Sequence, residues 1–333
     1  MGSLLFSSTA TWVVLFLALF QVVLGSPLIP KRATGPWMGL NTDFPDPSFL
    51  KAADGKWYAF GTNGNGKRVQ VAVSDDFSKW TLLDIEALPT LAGWETERDH
   101  WAPDVVLRAD GKYVMYYSGE SKSDISHHCI GTAIADKPTG PYVPNETPLS
   151  CRLDRGGSID SAGFWDKDGS RYVVFKVDGN SVGHGGDCNN GVAPLVSTPI
   201  LLQKVAADGV TPIGDAVQIL DRNTNDGDGP LVEAPSLVLH NGVYFLFYST
   251  HCFTDPKYDV RYATATSITG PYHKSNVELI KGGDYGGLIS PGGATVCGCG
   301  DRMLFHAWCD SSLTKRCMWV ANLQLSGTTA SIA

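Results

Sequence analysis

The chain has 333 residues, 43% hydrophobic and 10% aromatic, with 34 acidic against 26 basic side chains and a formal net charge of −8. That length is ample for a substantial core in one large domain or two small ones. The mild negative charge forms no basic stripe, which argues against nucleic acid or anionic lipid as a partner.

Residues 1–26 contain no charged side chain, and the apolar run Trp12–Leu24 is shorter than the roughly twenty residues a bilayer span needs. It reads as a secretory signal over 1–25, with small residues at Gly25 and Ser26 for cleavage, although the usual Lys or Arg before the apolar core is missing. Lys31-Arg32 resembles a dibasic processing site, so 26–32 reads as a short pro-segment and 33–333 as the mature domain. All eight cysteines lie in that mature part, and export makes disulfides their expected state. Short separation suggests Cys309 with Cys317 and Cys129 with Cys151. Cys297-Gly298-Cys299 has no matching Cys or His pair at zinc spacing, so a zinc site is not expected. Asn145-Glu146-Thr147 is an N-glycosylation sequon, a surface position if used.

No linker divides the mature chain, no segment sustains a helical period, and strand-like alternation recurs throughout. A first unit turns at Asp54-Gly55, returns through Trp57–Phe60 and continues in 69–74. A second runs from Asp104 through the turn Asp110-Gly111 and Tyr113–Tyr117 to 130–135 and Gly140-Pro141-Tyr142. The third turns at Asp168-Gly169 and returns through 201–205; the fourth turns at Asn241-Gly242 and returns through 260–265 to Gly270-Pro271-Tyr272. A weaker fifth covers 291–296, 303–308 and 318–323. Five units of about sixty residues, each able to make a four-stranded sheet, predict an all-β, single-domain, five-bladed β-propeller. No separate module is expected after the fifth unit.

Counting eight residues back from the residue before each turn glycine gives Asp46, Ala102, Asp160 and Glu233 in the first four units, and Gly292 stands there in the fifth. In a propeller such positions converge on the axis. Three carboxylates around one funnel repel each other, and burial raises the pKa of at least one, leaving a protonated acid near an ionised base. Glycoside hydrolysis requires that division of labour. The plainer reading is that Asp46 and Asp160 only cap turns or bond backbone amides.

Phe44-Pro45-Asp46-Pro47-Ser48, His100-Trp101-Ala102-Pro103-Asp104, Ser158-Ile159-Asp160-Ser161 and Glu233-Ala234-Pro235 resemble, in order and over nearly the whole mature chain, the motif series of glycoside hydrolase family 43. The resemblance implies hydrolysis with inversion at the anomeric carbon, usually of arabinofuranosyl or xylosyl linkages in plant cell-wall polysaccharides. It implies Asp46 as the general base that activates water, Glu233 as the general acid, and Asp160 as the carboxylate that orients the acid and tunes its pKa. In an inverting enzyme base and acid stand about 6.5 to 9.5 Å apart. Trp101 becomes a candidate sugar-stacking wall, and Phe44, His251 and His306 are further candidate substrate-binding residues. Asp104 is expected to be structural.

The pattern departs from the family in the fifth unit, where Ser290-Pro291-Gly292-Gly293 lacks the histidine that in many members helps hold a central metal ion or water cluster. No cofactor is therefore required by this reading, the metal site is unassigned, and an axial calcium loses its usual ligand; His306 or His251 remain to face the axis. Ala234 stands where glycine is frequent. The Gly- and Asn-rich stretch from Gly179 to Asn190 is either a loop at the funnel mouth or an idle loop pinned by Cys188. Asn225–Gly229 lacks EF-hand spacing and reads as a polar turn. The whole reading is a secreted, monomeric hydrolase of arabinan- or xylan-type polysaccharide. Its alternatives are a non-catalytic carbohydrate-binding propeller and a galactan-directed member. A retaining fructosyl-transferring propeller is disfavoured by Ile159-Asp160-Ser161 and Glu233-Ala234.

Overall fold

The computed structural model describes residues 1–2 and 35–333. The leader expected at 1–25 and the processing boundary at Lys31-Arg32 lie, beyond Met1 and Gly2, outside the described residues.

The recurring Asp-Gly and Asn-Gly pairs close the first hairpin of each of the first four blades. In blades one to three the turn connects Lys51 to Trp57, Leu107 to Tyr113 and Trp165 to Arg171. In the fourth, His240 pairs directly with Val243, so only Asn241 and Gly242 form the loop, both at positive φ (49° and 84°). A two-residue turn of that kind matches strand twist and needs residues that tolerate this conformation. The blades are antiparallel sheets, four-stranded in the first four and five-stranded in the last, where Thr329–Ile332 adds to Arg316–Ser326. Their inner strands are Ser48–Lys51, Glu95–Leu107, Ser158–Trp165, Val232–His240 and Gly292–Val296. Each packs against the next and the fifth returns to the first, closing a ring. This is the expected all-β, five-bladed propeller, with only short 3-10 turns besides strands among the described residues.

The sequence reading gave the fifth blade three strands, and the missing one comes from the start of the domain. Trp37–Leu40 pairs antiparallel with Arg316–Ser326, Trp37 opposite Val320, and so joins the two ends of the ring. The core consists of apolar wedges between neighbouring blades. Phe60, Met115 and Tyr117 fill one, Val174, Leu246 and Tyr248 another, and Phe245, Met303 and Phe305 a third. Phe49 and Trp57 meet Leu304 and Met318 where the fifth blade meets the first.

Polar groups cross between inner strands as well. Ser48 Oγ donates to Pro103 O (2.6 Å), Gly163 N donates to Asp104 Oδ2 (2.8 Å), and Val296 N donates to Ser236 Oγ (3.0 Å). Asp104 is thus a buried inter-blade strut. Burial pushes its pKa up to about 6 against the pull of the Gly163 and Val105 amides. The folded state therefore holds the extra proton, so this group's contribution is full below about pH 4 and is lost as pH rises through its folded value. Asp104→Asn keeps an acceptor for Gly163 and removes the buried charge. It is expected to stabilise the fold by about 2 kcal/mol at pH 7.5 and by little at pH 4, measured as melting temperature at both.

Four disulfides occur among the described residues: Cys129–Cys151, Cys188–Cys252, Cys297–Cys299 and Cys309–Cys317. Two are the short-separation pairs expected above. Cys297 and Cys299 are spent on each other. Asn145 is half-buried and its Nδ2 donates to Thr132 Oγ1 at 2.6 Å. The 225–229 segment is a capped turn in which Asp228 is buried against Lys274.

Candidate active site

Each blade places one axial residue in the left-handed region: Asp46 (φ 53°), just before the first inner strand, and Ala102 (42°), Asp160 (56°), Ala234 (51°) and Gly293 (59°), each at a register shift within its strand. Left-handed L residues cost about 1–2 kcal/mol each, and bulges re-aim a side chain where a regular strand would not. All five residues line one narrow cavity on the axis.

This ring corrects the repeat register. Ser48, Asp104, Ala162, Ser236 and Thr295 lie opposite Phe60, Tyr116, Val174, Phe247 and Leu304. The fourth hairpin is one residue tighter than the first three, so counting back from its turn overshoots by one. The ring residue of the fourth blade is Ala234, with Glu233 just before it, and that of the fifth is Gly293 rather than Gly292. Two carboxylates, not three, occupy the repeat position. Glu233 still faces them, because Ala234 N donates to Asp160 Oδ2 at 3.0 Å and so seats Asp160 beside it.

A second ring comes from the strand that follows. Ala102 N donates to Thr62 Oγ1 (2.8 Å), Asp160 N to Ser118 Oγ (3.1 Å), Gly293 N to Ser249 Oγ (3.0 Å) and Asp46 N to His306 Nδ1 (3.1 Å). The equivalent residue in the third blade is Lys176. Its Nζ lies 3.1 Å from Glu233 Oε2 and 3.0 Å from Asp178 Oδ1, with the side chain 1% exposed.

The three carboxylates thus occupy different surroundings. Asp46 Oδ2 accepts from Thr62 Oγ1 (2.6 Å), and its Oδ1 lies 3.2 Å from His306 Nδ1 and 3.4 Å from Arg316. Burial alone would raise its pKa, but the Arg316 charge and the His306 and Thr62 contacts outweigh burial and hold it well below the usual carboxylate range. Asp160 goes the other way: burial, then the Glu233 charge, raise it far above that range despite Lys176. Glu233 Oε1 accepts from Tyr258 OH at 2.9 Å. Repulsion across the Asp160–Glu233 pair keeps one proton on it while Asp46 is ionised.

The other candidate residues separate. Trp101 is half-buried, its ring stacked on His128 at 3.7 Å between centroids. Phe44 is corrected: it is wholly buried in the wedge between blades five and one, its ring against Gly61, and cannot touch substrate. His306 is also corrected as a substrate contact, being fully buried, stacked on Tyr258 and committed to Asp46. His251 is half-buried over Gly229 and paired with Thr250 Oγ1; burial lowers its pKa.

The stretch from Gly179 to Asn190 follows Lys176 and Asp178 at the end of the third blade's second strand. Cys188–Cys252 staples it to the fourth blade and Ser181 Oγ bonds His127 Nδ1, so it is a fixed rim of the funnel. Sequence reasoning missed Lys176, Tyr258, Arg316 and Thr62. Lys176 alone left a signal, a cation inside the apolar strand Tyr172–Val177. The unusual Gly292-Gly293 pair also finds its reason here. A Cβ on Gly292 would lie 1.9 Å from the Tyr258 ring, and one on Gly293 2.7 Å from His306.

As for an axial calcium, His306 Nε2 and Ser161 Oγ are buried without a partner. Two such atoms fall well short of the six to eight oxygens calcium takes, and the ring contributes alanine and glycine at its other positions. The donor set does not make a calcium site from the protein's own groups.

A propeller with an ionised aspartate facing a proton-sharing carboxylate pair is the frame of a glycoside hydrolase. Residues 40–317 match the model of Glycosyl hydrolases family 43, and the chain belongs to that family. It is 28% identical over 290 residues to the extracellular endo-alpha-(1->5)-L-arabinanase 1 of Bacillus subtilis (strain 168), covering 82% of each chain. With the xylosidase/arabinosidase 43A of Humicola insolens it shares 37% identity over 94 residues, 28% of this chain and 25% of that one. The structure of native Bacillus subtilis arabinanase Arb43A superposes with a TM-score of 0.68 at 25% identity, covering 89% of this chain and 99% of that one.

Proposed function

We propose that this glycoside hydrolase is a secreted, monomeric, inverting enzyme that cleaves α-L-arabinofuranosyl, or else β-xylosyl, linkages in plant cell-wall polysaccharide. The observation that carries the reading is the split between Asp46, held ionised by Arg316, His306 and Thr62, and the Asp160–Glu233 pair, which retains a proton. Asp46 takes a proton from water as the water oxygen attacks the anomeric carbon. Glu233 gives its proton to the departing glycosidic oxygen, and Asp160 steers and recharges it. No cofactor takes part in these steps. The arabinanase and xylosidase/arabinosidase names of the relatives support the sugar class, and Trp101 supplies an apolar face for a ring. Four disulfides and a relative named extracellular support export.

The test is chromatography of sugars released from arabinan, arabinoxylan, xylan and arabinogalactan, run beside Glu233→Gln. Arabinose or short arabino-oligosaccharides from wild type alone are expected, product length distinguishing exo- from endo-action. Xylose or galactose would keep the mechanism and change the substrate. Binding without any product would favour a lectin-like propeller instead.

A further inference from the structure

In four blades the second-strand ring position holds a hydrogen-bond acceptor, Thr62, Ser118, Ser249 or His306, that takes the N–H of the next blade's left-handed axial residue. The fold is satisfied by a serine there. The third blade instead buries a lysine, which has no acceptor to offer, so Ala234 N turns to Asp160 Oδ2. Burying a cation is costly unless it is paired, and Lys176 is paired with two carboxylates from different blades, Asp178 and Glu233. That exchange moves a structural contact onto Asp160 and places a fixed positive charge against Glu233.

We propose that Lys176, poised between Asp178 and Glu233, is a positioning residue that sets the pH above which the Asp160–Glu233 pair loses its catalytic proton. The inference rests on the reading of that pair as the proton donor. Lys176 favours the ionised pair, and Asp178 opposes it, both by its own charge and by drawing the ammonium away from Glu233. The same two carboxylates and Asp160 hold the lysine charged in spite of its burial. The other groups facing this cluster are Tyr258, donating to Glu233, Asp46 and His306 across the funnel, and His128, which feels Asp178. None of them lies between Lys176 and Glu233.

The two partners therefore act with opposite sign. Lys176→Met is expected to move the alkaline limb of the kcat/KM profile up by about one to three pH units, the effect of removing a neighbouring opposite charge. Asp178→Asn should move the same limb down by about one unit. Lys176→Arg, which keeps the charge, should restore a near-wild-type limb. A purely structural role would lower rate and melting temperature without moving the limb. Limbs that stay in place, or that move the same way in both variants, overturn the proposal. If Lys176→Met fails to fold, Asp178→Asn keeps the ring intact and decides the sign alone. Failure of the underlying reading shows elsewhere: a wild type without hydrolysis, or a Glu233→Gln variant with an unchanged profile, overturns both.

Discussion

Asp46→Asn is expected to lower kcat by about 10^2 to 10^4-fold on every substrate, aryl glycoside and polymer alike. Water activation is common to every substrate, so the loss should appear whatever the aglycone. The substitution keeps size and shape, and the amide oxygen can still accept from Thr62 Oγ1. What goes is the negative charge that Arg316 and His306 face. Sugar binding should persist, since the backbone is still held through the Asp46 N–H to His306, while the melting temperature near neutral pH should fall, because the depressed pKa means the fold stabilises the ionised form that asparagine lacks. The check is steady-state kinetics on a nitrophenyl arabinofuranoside and on arabinan, with binding measured separately. Activity within a few-fold of wild type would remove Asp46 from the role of base.

Glu233→Gln should instead show a loss that depends on the leaving group. Departure of a sugar alcohol needs a proton, so polymer hydrolysis should fall by about 10^2 to 10^4-fold. A nitrophenolate leaves without one, so that aryl substrate should retain most of its turnover. The glutamine can keep Tyr258 and Lys176 satisfied by presenting its amide nitrogen to the phenol oxygen and its carbonyl to the ammonium. With one carboxylate of the pair gone, the alkaline limb should flatten on the aryl substrate. Equal losses on both substrates would assign Glu233 to orientation rather than proton donation. Set beside Asp46→Asn, the two patterns separate base from acid by kinetics alone.

Much of the molecule is written in local pattern. Period-two alternation, the Asp-Gly and Asn-Gly turns and the Gly-Pro-Tyr segments determine strands and hairpins within a few residues of each other, and their repetition determines a propeller of five blades. Asp46 and Asp160 were legible because repetition converts distant positions into neighbours, and Glu233 because it stands one residue before such a position. The short-range cysteine pairs, Cys129–Cys151 and Cys309–Cys317, were legible for the same local reason, whereas Cys188–Cys252 spans 64 residues and two blades.

Tertiary structure decided what repetition leaves open. A hairpin shorter by one residue moves Glu233 off the ring position, a shift that counting from turns cannot detect because strand pairing, not turn position, sets the register. Ring closure recruits Trp37–Leu40 into the last blade, since an open edge there would leave its backbone groups unpaired. Phe44 and His306 looked like substrate contacts because Phe44 neighbours Asp46 and His306 carries an imidazole, yet packing encloses both. Lys176 stood out as a charge in an apolar strand, but its meaning depends on Glu233, 57 residues away on the next blade. Sequence by itself determines which elements form and which positions converge. Only the folded ring determines which charges meet, because charge pairing is set by distances across blades that no local pattern encodes.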